Sequence, residues 1–319
     1  MKNILVTGGC GFIGSNFINH FCEKYPECFV YNIDCLNYCA STSNVKPHSN
    51  YKFIEGNITD KSFVAFILKE FQIDTIIHFA AQSHVDNSFD NSLQYTIDNV
   101  FGTHVLLDSS KRYGKIEKFI HFSTDEVYGE VSLDHEGCSE SHLLNPTNPY
   151  AATKAAAEDL VNSYGHSFKL PYVIIRCNNV YGPNQYEEKL IPRFAKLLLE
   201  GKKCTIHGKG QTRRNFIHTF DVFNAVDVIL HSDILNTTVN IGTKNEYSVM
   251  DITKMLVKLV YDTDDITPYI EYVGDRPFND SRYAIKSDRL IGLGWKEQIP
   301  FEQGFRETFE HYKQKWGKS

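Results

Sequence analysis

Residues 7–14 read Thr7-Gly8-Gly9-Cys10-Gly11-Phe12-Ile13-Gly14, and they join an apolar run at 2–7 to a helical pattern over Phe12–Lys24. The glycines are spaced Gly-x-x-Gly-x-x-Gly. Gly8 permits a tight turn, Gly11 lets backbone approach a pyrophosphate, and Gly14 allows the helix to pack closely on the strand. The first turn of the helix offers free N–H groups and a positive dipole end to an anion. Phe12, Ile13, Phe17 and Phe21 fall near helical spacing, so the motif sits between a strand and a helix, where a dinucleotide-binding fingerprint belongs.

Outward from this motif, strand-like and helix-like segments alternate. Strands are predicted at 28–33, Tyr51–Glu55, 75–79, 118–123 and 172–176, with helices at 61–71, 92–113 and Pro149–Phe168. Buried strands alternating with helices imply a parallel sheet covered on both faces, with ligands at the carboxyl ends of the strands. The expected fold class is therefore α/β: a Rossmann-type doubly wound sheet over residues 1–180, then a smaller α/β substrate-binding lobe over 181–319. A segment near 216–242 is expected to return to the first domain. Past about residue 180 the segments shorten, and Gly, Pro, Asn and charged residues become frequent.

Asp34 ends the second strand, about twenty residues beyond the glycines. A carboxylate there accepts from the adenosine ribose hydroxyls and repels a 2′-phosphate, which favours NAD over NADP. Asn57 and Ile58 follow the third strand and are placed to flank the adenine. Ala80 and Ala81 follow the fourth and are small enough for backbone to pass close to a cofactor.

Tyr150 and Lys154 are four apart at the start of a helix, so they share one face. A lysine ammonium beside a phenol is expected to lower the phenol's pKa, and a phenolate accepts a proton from a sugar hydroxyl as hydride leaves. Thr124, at the end of the fifth strand, is placed to hydrogen-bond the reacting oxygen. Asp125 and Glu126 follow it directly. A redox step alone needs neither carboxylate, whereas two carboxylates in different environments divide acid and base work.

At these residues the chain resembles the nucleotide-sugar 4,6-dehydratases of the extended short-chain dehydrogenase/reductase superfamily, over nearly its whole length. The matching stretches are 7–14, 78–88, 123–129, 150–154, 176–192 and 276–283, and the Thr124-Asp125-Glu126 triplet discriminates best. The resemblance implies that Tyr150, with Lys154 and Thr124, helps oxidise C4 of glucose with NAD. Glu126 then takes the C5 proton, Asp125 protonates the departing C6 hydroxyl, and hydride returns to C6. It further implies that Ser83 and Asn179 hold the sugar or its phosphate, that Glu188, Lys189 and Leu190 contact the nucleotide, and that Arg214 and Arg276 grip the diphosphate. Asn240 is expected to line the same pocket, and Arg213 to be a solvated charge. Guanidinium suits a diphosphate because its planar fork donates paired bonds.

Three departures bear on the nucleotide. The chain has Arg276-Pro277-Phe278-Asn279-Asp280, His207 and Asn179-Val180-Tyr181-Gly182, where the bacterial thymidine-type enzymes usually read Arg-Pro-Gly-His-Asp, Tyr and Asn-Asn-Tyr-Gly. These forms are similar to the UDP-glucose 4,6-dehydratases, including the first part of plant rhamnose synthases, so UDP-glucose is preferred over dTDP-glucose. On its length the chain is expected to lack the second domain of those synthases. Asn57 stands where Asp is more usual, and its amide oxygen still accepts.

Composition sets the outer bounds. The chain has 319 residues, 42% hydrophobic, with a formal net charge of -6. That balance argues against general nucleic-acid binding, which needs clustered Lys and Arg. The eight cysteines show no Cys-x-x-Cys pair, so no metal site is expected, and they read as free thiols of a cytoplasmic protein. No run approaches the roughly 18–20 apolar residues of a membrane span. Family members pair through two long helices, which implies a homodimer through 92–113 and Pro149–Phe168. Two other functions share this fold or its cofactor motif. A UDP-sugar 4-epimerase or decarboxylase of the same fold would yield no 4-keto-6-deoxy product. A non-catalytic NAD-binding regulator would be expected to have lost Tyr150, Lys154 or Thr124, and all three are present.

Overall fold

The computed structural model describes residues 1–274 and 280–317. The first half runs β1 (Asn3–Thr7), α1 (Phe12–Lys24), β2 (Phe29–Asp34), β3 (Tyr51–Glu55), α2 (Lys61–Glu70), β4 (Thr75–His78), α3 (Val85–Asp90), α4 (Ser92–Tyr95), α5 (Gly102–Tyr113), β5 (Lys118–Thr124), α6 (Pro149–Phe168) and β6 (Tyr172–Cys177). The second half runs β7 (Asn179–Tyr181), α7 (Leu190–Leu199), β8 (Cys204–His207), β9 (Arg213–His218), α8 (Thr219–His231), β10 (Thr237–Ile241), β11 (Glu246–Ser248), α9 (Val249–Tyr261), β12 (Ile270–Val273), α10 (Asp288–Gly292) and α11 (Phe301–Trp316).

Seven strands form one sheet in the order β10-β6-β5-β4-β1-β2-β3, and every neighbouring pair is parallel. The strands near the centre are apolar and wholly buried because helices cover both faces. On one face α1 and α8 bury Phe17, Phe21, Val222 and Phe223 against Ile4, Val6 and Ile175. On the other, α2, α5 and α6 bury Val64, Leu68, Leu106 and Val161 against Leu5, Ile76 and Phe119. Each such side chain contributes on the order of 1.5–3 kcal/mol by leaving water. A third cluster, with Phe194, Leu198, Leu256, Phe301 and Phe305, lies among the elements after β7. Those elements carry two small sheets, β11-β9-β7 and β12-β8.

The chain winds outward through β2 and β3 on one side of β1, and through β4, β5 and β6 on the other. The direction reverses between β1 and β4, which leaves a crevice beyond their carboxyl ends. The glycines of the first turn shape its floor. Gly8 has φ +73°, and a Cβ on it would lie 2.7 Å from the Ala80 backbone. A Cβ on Gly14 would lie 2.5 Å from the Gly8 carbonyl oxygen, so only glycine lets α1 start this close to β1.

The stretch 92–113, expected as one regular helix, contains a wide π turn at Thr96–Phe101 between α4 and α5. The turn places Asn99, which is buried, against Gln82 and Thr153. Its Oδ1 accepts from the Gln82 N–H at 2.7 Å, and its Nδ2 donates to the Gln82 carbonyl at 3.1 Å and the Thr153 hydroxyl at 3.0 Å. A π turn thus ties the loop after β4 to α6, a use typical of such turns near sites.

Candidate active site

A continuous cavity of about 520 Å³ opens at the carboxyl ends of the central strands and extends to α7, β8 and β9. Gly8, Gly11, Phe12, Ile13, Gly14, Asp34, Asn57, Ile58, Ala80 and Ala81 all line one end of it. Gly11 is the N-cap of α1, and no side chain caps that helix. Its first N–H groups are therefore left for a ligand. A Cβ on Gly11 would meet only the Gly8 carbonyl oxygen, at 3.3 Å, so backbone faces open space here. The Asp34 carboxylate accepts from the backbone N–H of Cys10 and of Leu36, both at 2.9 Å. These two bonds fix its direction on the cavity wall. An anion cradle followed by a fixed carboxylate fits the diphosphate and ribose of NAD.

At the middle of the cavity stand Thr124, Glu126, Tyr150 and Lys154. Thr124 ends β5, and Tyr150 and Lys154 sit in the first turns of α6, which Asn148 and Pro149 start. The Asn148 side chain accepts from the Ala151 N–H at 2.8 Å, capping the helix. Its amide also donates to Glu126 Oε2 at 3.0 Å. One residue therefore sets the position of the tyrosine helix and of the carboxylate opposite it.

Asp125 is buried behind this wall. It accepts from the Asn178 amide at 2.7 Å and from the Thr124 hydroxyl at 3.3 Å. Burial, reinforced by the charge of Glu126, raises its pKa to about 7. Glu126 is also raised by burial, while Arg214, Asn148 and Lys189 act to keep it charged. The adjacent carboxylates thus occupy different environments. One faces the cavity among cations, and the other is covered and carries its proton near neutrality.

The tyrosine departs from expectation. Burial and the charges of Glu126 and Asp125 hold the Tyr150 phenol well above its ordinary range, opposed by a hydrogen bond with Thr124. Burial also lowers Lys154 to about 8, partly offset by Glu158. The lysine shares the cavity wall, but burial and the neighbouring carboxyls, not its charge, set the phenol. Behind it, His78 is lowered to about 3, chiefly by burial and secondarily by Lys154.

At the far end, Ser83, Asn179, Glu188, Lys189, Leu190, His207 and Arg214 line the same cavity. Lys189 Nζ donates to the Ser83 carbonyl at 3.0 Å. Glu188 accepts from the Tyr38 hydroxyl at 3.0 Å. The Arg214 guanidinium donates to the Arg213 carbonyl at 2.7 Å and the Asp280 carbonyl at 3.0 Å, and it lies 4.6 Å over the Tyr283 ring. A guanidinium held on its face and on two donors is fixed before a ligand arrives. Arg213 pairs loosely with Glu246, at 3.9 Å, and is not on the cavity wall. Arg276 lies outside the described residues.

Asn240 does not line the cavity, contrary to expectation. It is wholly buried on β10. It accepts from the Tyr128 hydroxyl at 2.8 Å and donates to the carbonyls of Cys138 and Lys286 at 3.0 and 2.9 Å. Its work is to join a loop to the sheet, beside the buried Arg176–Glu158 pair at 2.6 Å. The sequence reading also passed over Asn148, Asn178, Asp280 and Tyr283. The Asn148-Pro149 dipeptide was a legible helix start. The other three reach the site only through long-range contacts.

Fold and site together define a dinucleotide-dependent enzyme of the extended short-chain dehydrogenase/reductase type. The chain belongs to the family described as GDP-mannose 4,6 dehydratase, which matches residues 5–308. It is 48% identical over 318 residues to the dTDP-D-glucose 4,6-dehydratase of Mus musculus, covering 98% of this chain and 89% of that one. It is 47% identical over 323 residues to a trifunctional UDP-glucose 4,6-dehydratase, 3,5-epimerase and reductase of Arabidopsis thaliana, covering 99% of this chain but 48% of that protein. Among solved structures, the dTDP-glucose 4,6-dehydratase of Bacillus anthracis in complex with NAD is 36% identical, with a TM-score of 0.91 over 99% of both chains.

Proposed function

We propose that this chain is an NAD-dependent nucleotide-sugar 4,6-dehydratase, a hydro-lyase that converts UDP-glucose, in preference to dTDP-glucose, to the 4-keto-6-deoxyglucose nucleotide. The observation that carries the reading is the placement of two adjacent carboxyls in different surroundings: Glu126 on the cavity wall, held by Asn148, and Asp125 buried behind Thr124 with its pKa raised by burial, a division a simple epimerase does not need. Family membership supports the same reaction.

Gly11, the start of α1 and Asp34 hold the cofactor, and bound NAD supplies the acceptor and later the donor of hydride. Tyr150 takes the proton of the C4 hydroxyl, with Thr124 bonded to the same oxygen. Were NAD bound at this end of the cavity, the positive charge of its oxidised ring would oppose the burial that holds the Tyr150 phenol up. The 4-ketone acidifies the C5 hydrogen, and Glu126 removes that proton. Asp125, buried behind Thr124, passes its proton through the Thr124 hydroxyl to the C6 hydroxyl, which leaves as water. Hydride returning to C6 and the Glu126 proton returning to C5 complete the product, and the proton held by Tyr150 restores that of Asp125. The net change is the loss of one water, with NAD regenerated.

Arg214 and Lys189 grip the diphosphate and nucleotide, with Arg276 as the second guanidinium. Ser83 and Asn179 hold the sugar. His207 and Val180, both on the cavity wall, are the forms that favour uridine. Uracil and thymine differ by one methyl, worth about 1–3 kcal/mol in a pocket, so dTDP-glucose is a slower second substrate. Purified protein given catalytic NAD and either sugar nucleotide, followed by NMR, is expected to form the 4-keto-6-deoxy sugar without net NADH, faster from UDP-glucose. UDP-galactose as the product would replace the dehydratase reading with an epimerase. Faster turnover of dTDP-glucose would reverse the nucleotide preference.

The enzyme works as a homodimer. Leu93, Ile97 and Phe101 are exposed at 80, 46 and 52% and recur every four residues along the helical stretch that also carries α5. Phe168 at the end of α6 is 47% exposed. An apolar stripe of this kind on the two long helices suits an interface. No helix among the described residues is long and apolar enough to cross a membrane. All eight cysteines are free thiols, which supports a cytoplasmic setting.

A further inference from the structure

Between Tyr128 and Asn148 the chain crosses the outer surface in a loop that belongs to neither the cofactor end nor the sugar end of the cavity. The loop is pinned by backbone bonds. The Val131 N–H donates to the Arg282 carbonyl at 3.0 Å, the Cys138 N–H to Ala284 at 2.9 Å, and the Lys286 N–H to Cys138 at 2.9 Å. Arg282 adds donors to the carbonyls of Ser132 and His135, each at 2.8 Å. Within this frame, one ligand atom from each of His135, Cys138 and His142 lies within 4.8 Å of the other two. The thiol is fully buried at the base, His135 is half-buried, and His142 is exposed. The imidazoles stand edge to face, 5.5 Å between centroids.

We infer that His135, Cys138 and His142 form a site for a borderline-soft divalent ion of the zinc type. The spacing His-x-x-Cys-x-x-x-His brings one thiolate and two imidazoles to one point, the donor set such ions prefer. Zinc bonds of about 2.3 Å to sulfur and 2.0–2.1 Å to nitrogen put ligand atoms about 3.5 Å apart. Closing from the observed separation takes about one ångström. The exposed His142 has the freedom to supply it. The open side leaves the fourth position to water. His135 Nδ1 accepts from the Gly137 N–H at 3.0 Å, and ligation through either ring nitrogen of a neutral imidazole replaces that bond. A mixed His-Cys-His spacing of this kind carries no Cys-x-x-Cys signature. The ion fastens a loop that leads to Asn148, and its effect is structural.

The test is titration of the reduced, full-length protein with Co2+ and then Zn2+. One equivalent of Co2+ is expected to give tetrahedral visible bands and a thiolate charge-transfer band, and Zn2+ is expected to displace it. Zn2+ should raise the melting midpoint by a few degrees. His142→Ala changes an exposed residue and leaves the fold intact. It should weaken Co2+ binding by on the order of 100-fold or more and abolish the thermal shift, since even outer-shell losses cost 10–100-fold. His135→Ala should do the same. Absence of a thiolate band in the wild type would overturn the proposal. So would a band that survives both histidine substitutions, because the thiolate would then belong to another cysteine.

Discussion

Glu126→Gln is expected to lower water elimination by about 10²–10⁴-fold, the usual contribution of a positioned base. The substitution keeps the size and one oxygen of the side chain, so the Asn148 amide retains its acceptor and α6 keeps its place. What it removes is the ability to take a proton. Oxidation at C4 does not need Glu126, and the reaction should halt at the bound 4-ketone. Stopped-flow absorbance of reduced nicotinamide is then expected to rise and persist on the enzyme, where the wild type shows only a transient. Solvent exchange of the C5 hydrogen, followed by NMR in D2O, should vanish with the same substitution. Elimination at the wild-type rate would transfer the base to another group.

Tyr150→Phe is expected to lose a comparable 10²–10⁴-fold, but one step earlier. Phenylalanine fills the same buried space and keeps the ring beside Tyr95, 6.5 Å between centroids. Thr124 retains its bond to Asp125, so no new buried polar group is left without a partner there. Without the phenol the C4 hydroxyl has no proton acceptor, and no reduced nicotinamide should appear on mixing with UDP-glucose. The double substitution with Glu126→Gln should look like Tyr150→Phe alone, because a later block has no effect once the first step is closed. A persistent reduced-nicotinamide signal in the Tyr150→Phe enzyme would show that another group accepts the proton.

The difference between what sequence and structure reveal follows the range of the interactions. The β1-turn-α1 unit was legible because its glycines, apolar strand and helix face are contiguous. Tyr150 and Lys154 were legible from their offset within one helix, and Asp34 from its distance past the glycines at the end of the next strand. The far end was legible as a set of lining residues through family resemblance, and the contacts that hold them were not. Asn178 reaches Asp125 across 53 residues, and Arg214 reaches Asp280 across 66. Asn240, expected on the pocket wall through the resemblance, lies away from it, fully buried on β10. Carbonyls from two separate segments, Cys138 and Lys286, take its side-chain amide. The π turn at Thr96–Phe101 leaves no mark in hydrophobic spacing, since one wide turn shifts the helix face only locally. The tyrosine expectation weighed the nearby charge and left out the desolvation of a buried phenol, which is the larger effect here.

The central claim is that one site removes hydride from C4, eliminates water across C5 and C6, and returns the same hydride to C6. It is tested most directly with UDP-glucose deuterated at C4, catalytic NAD and NMR of the product. Deuterium is expected at C6 of a 4-keto-6-deoxyglucose nucleotide, with no net NADH. Deuterium found at C4 of a UDP-hexose, or lost to the nicotinamide pool, would contradict it.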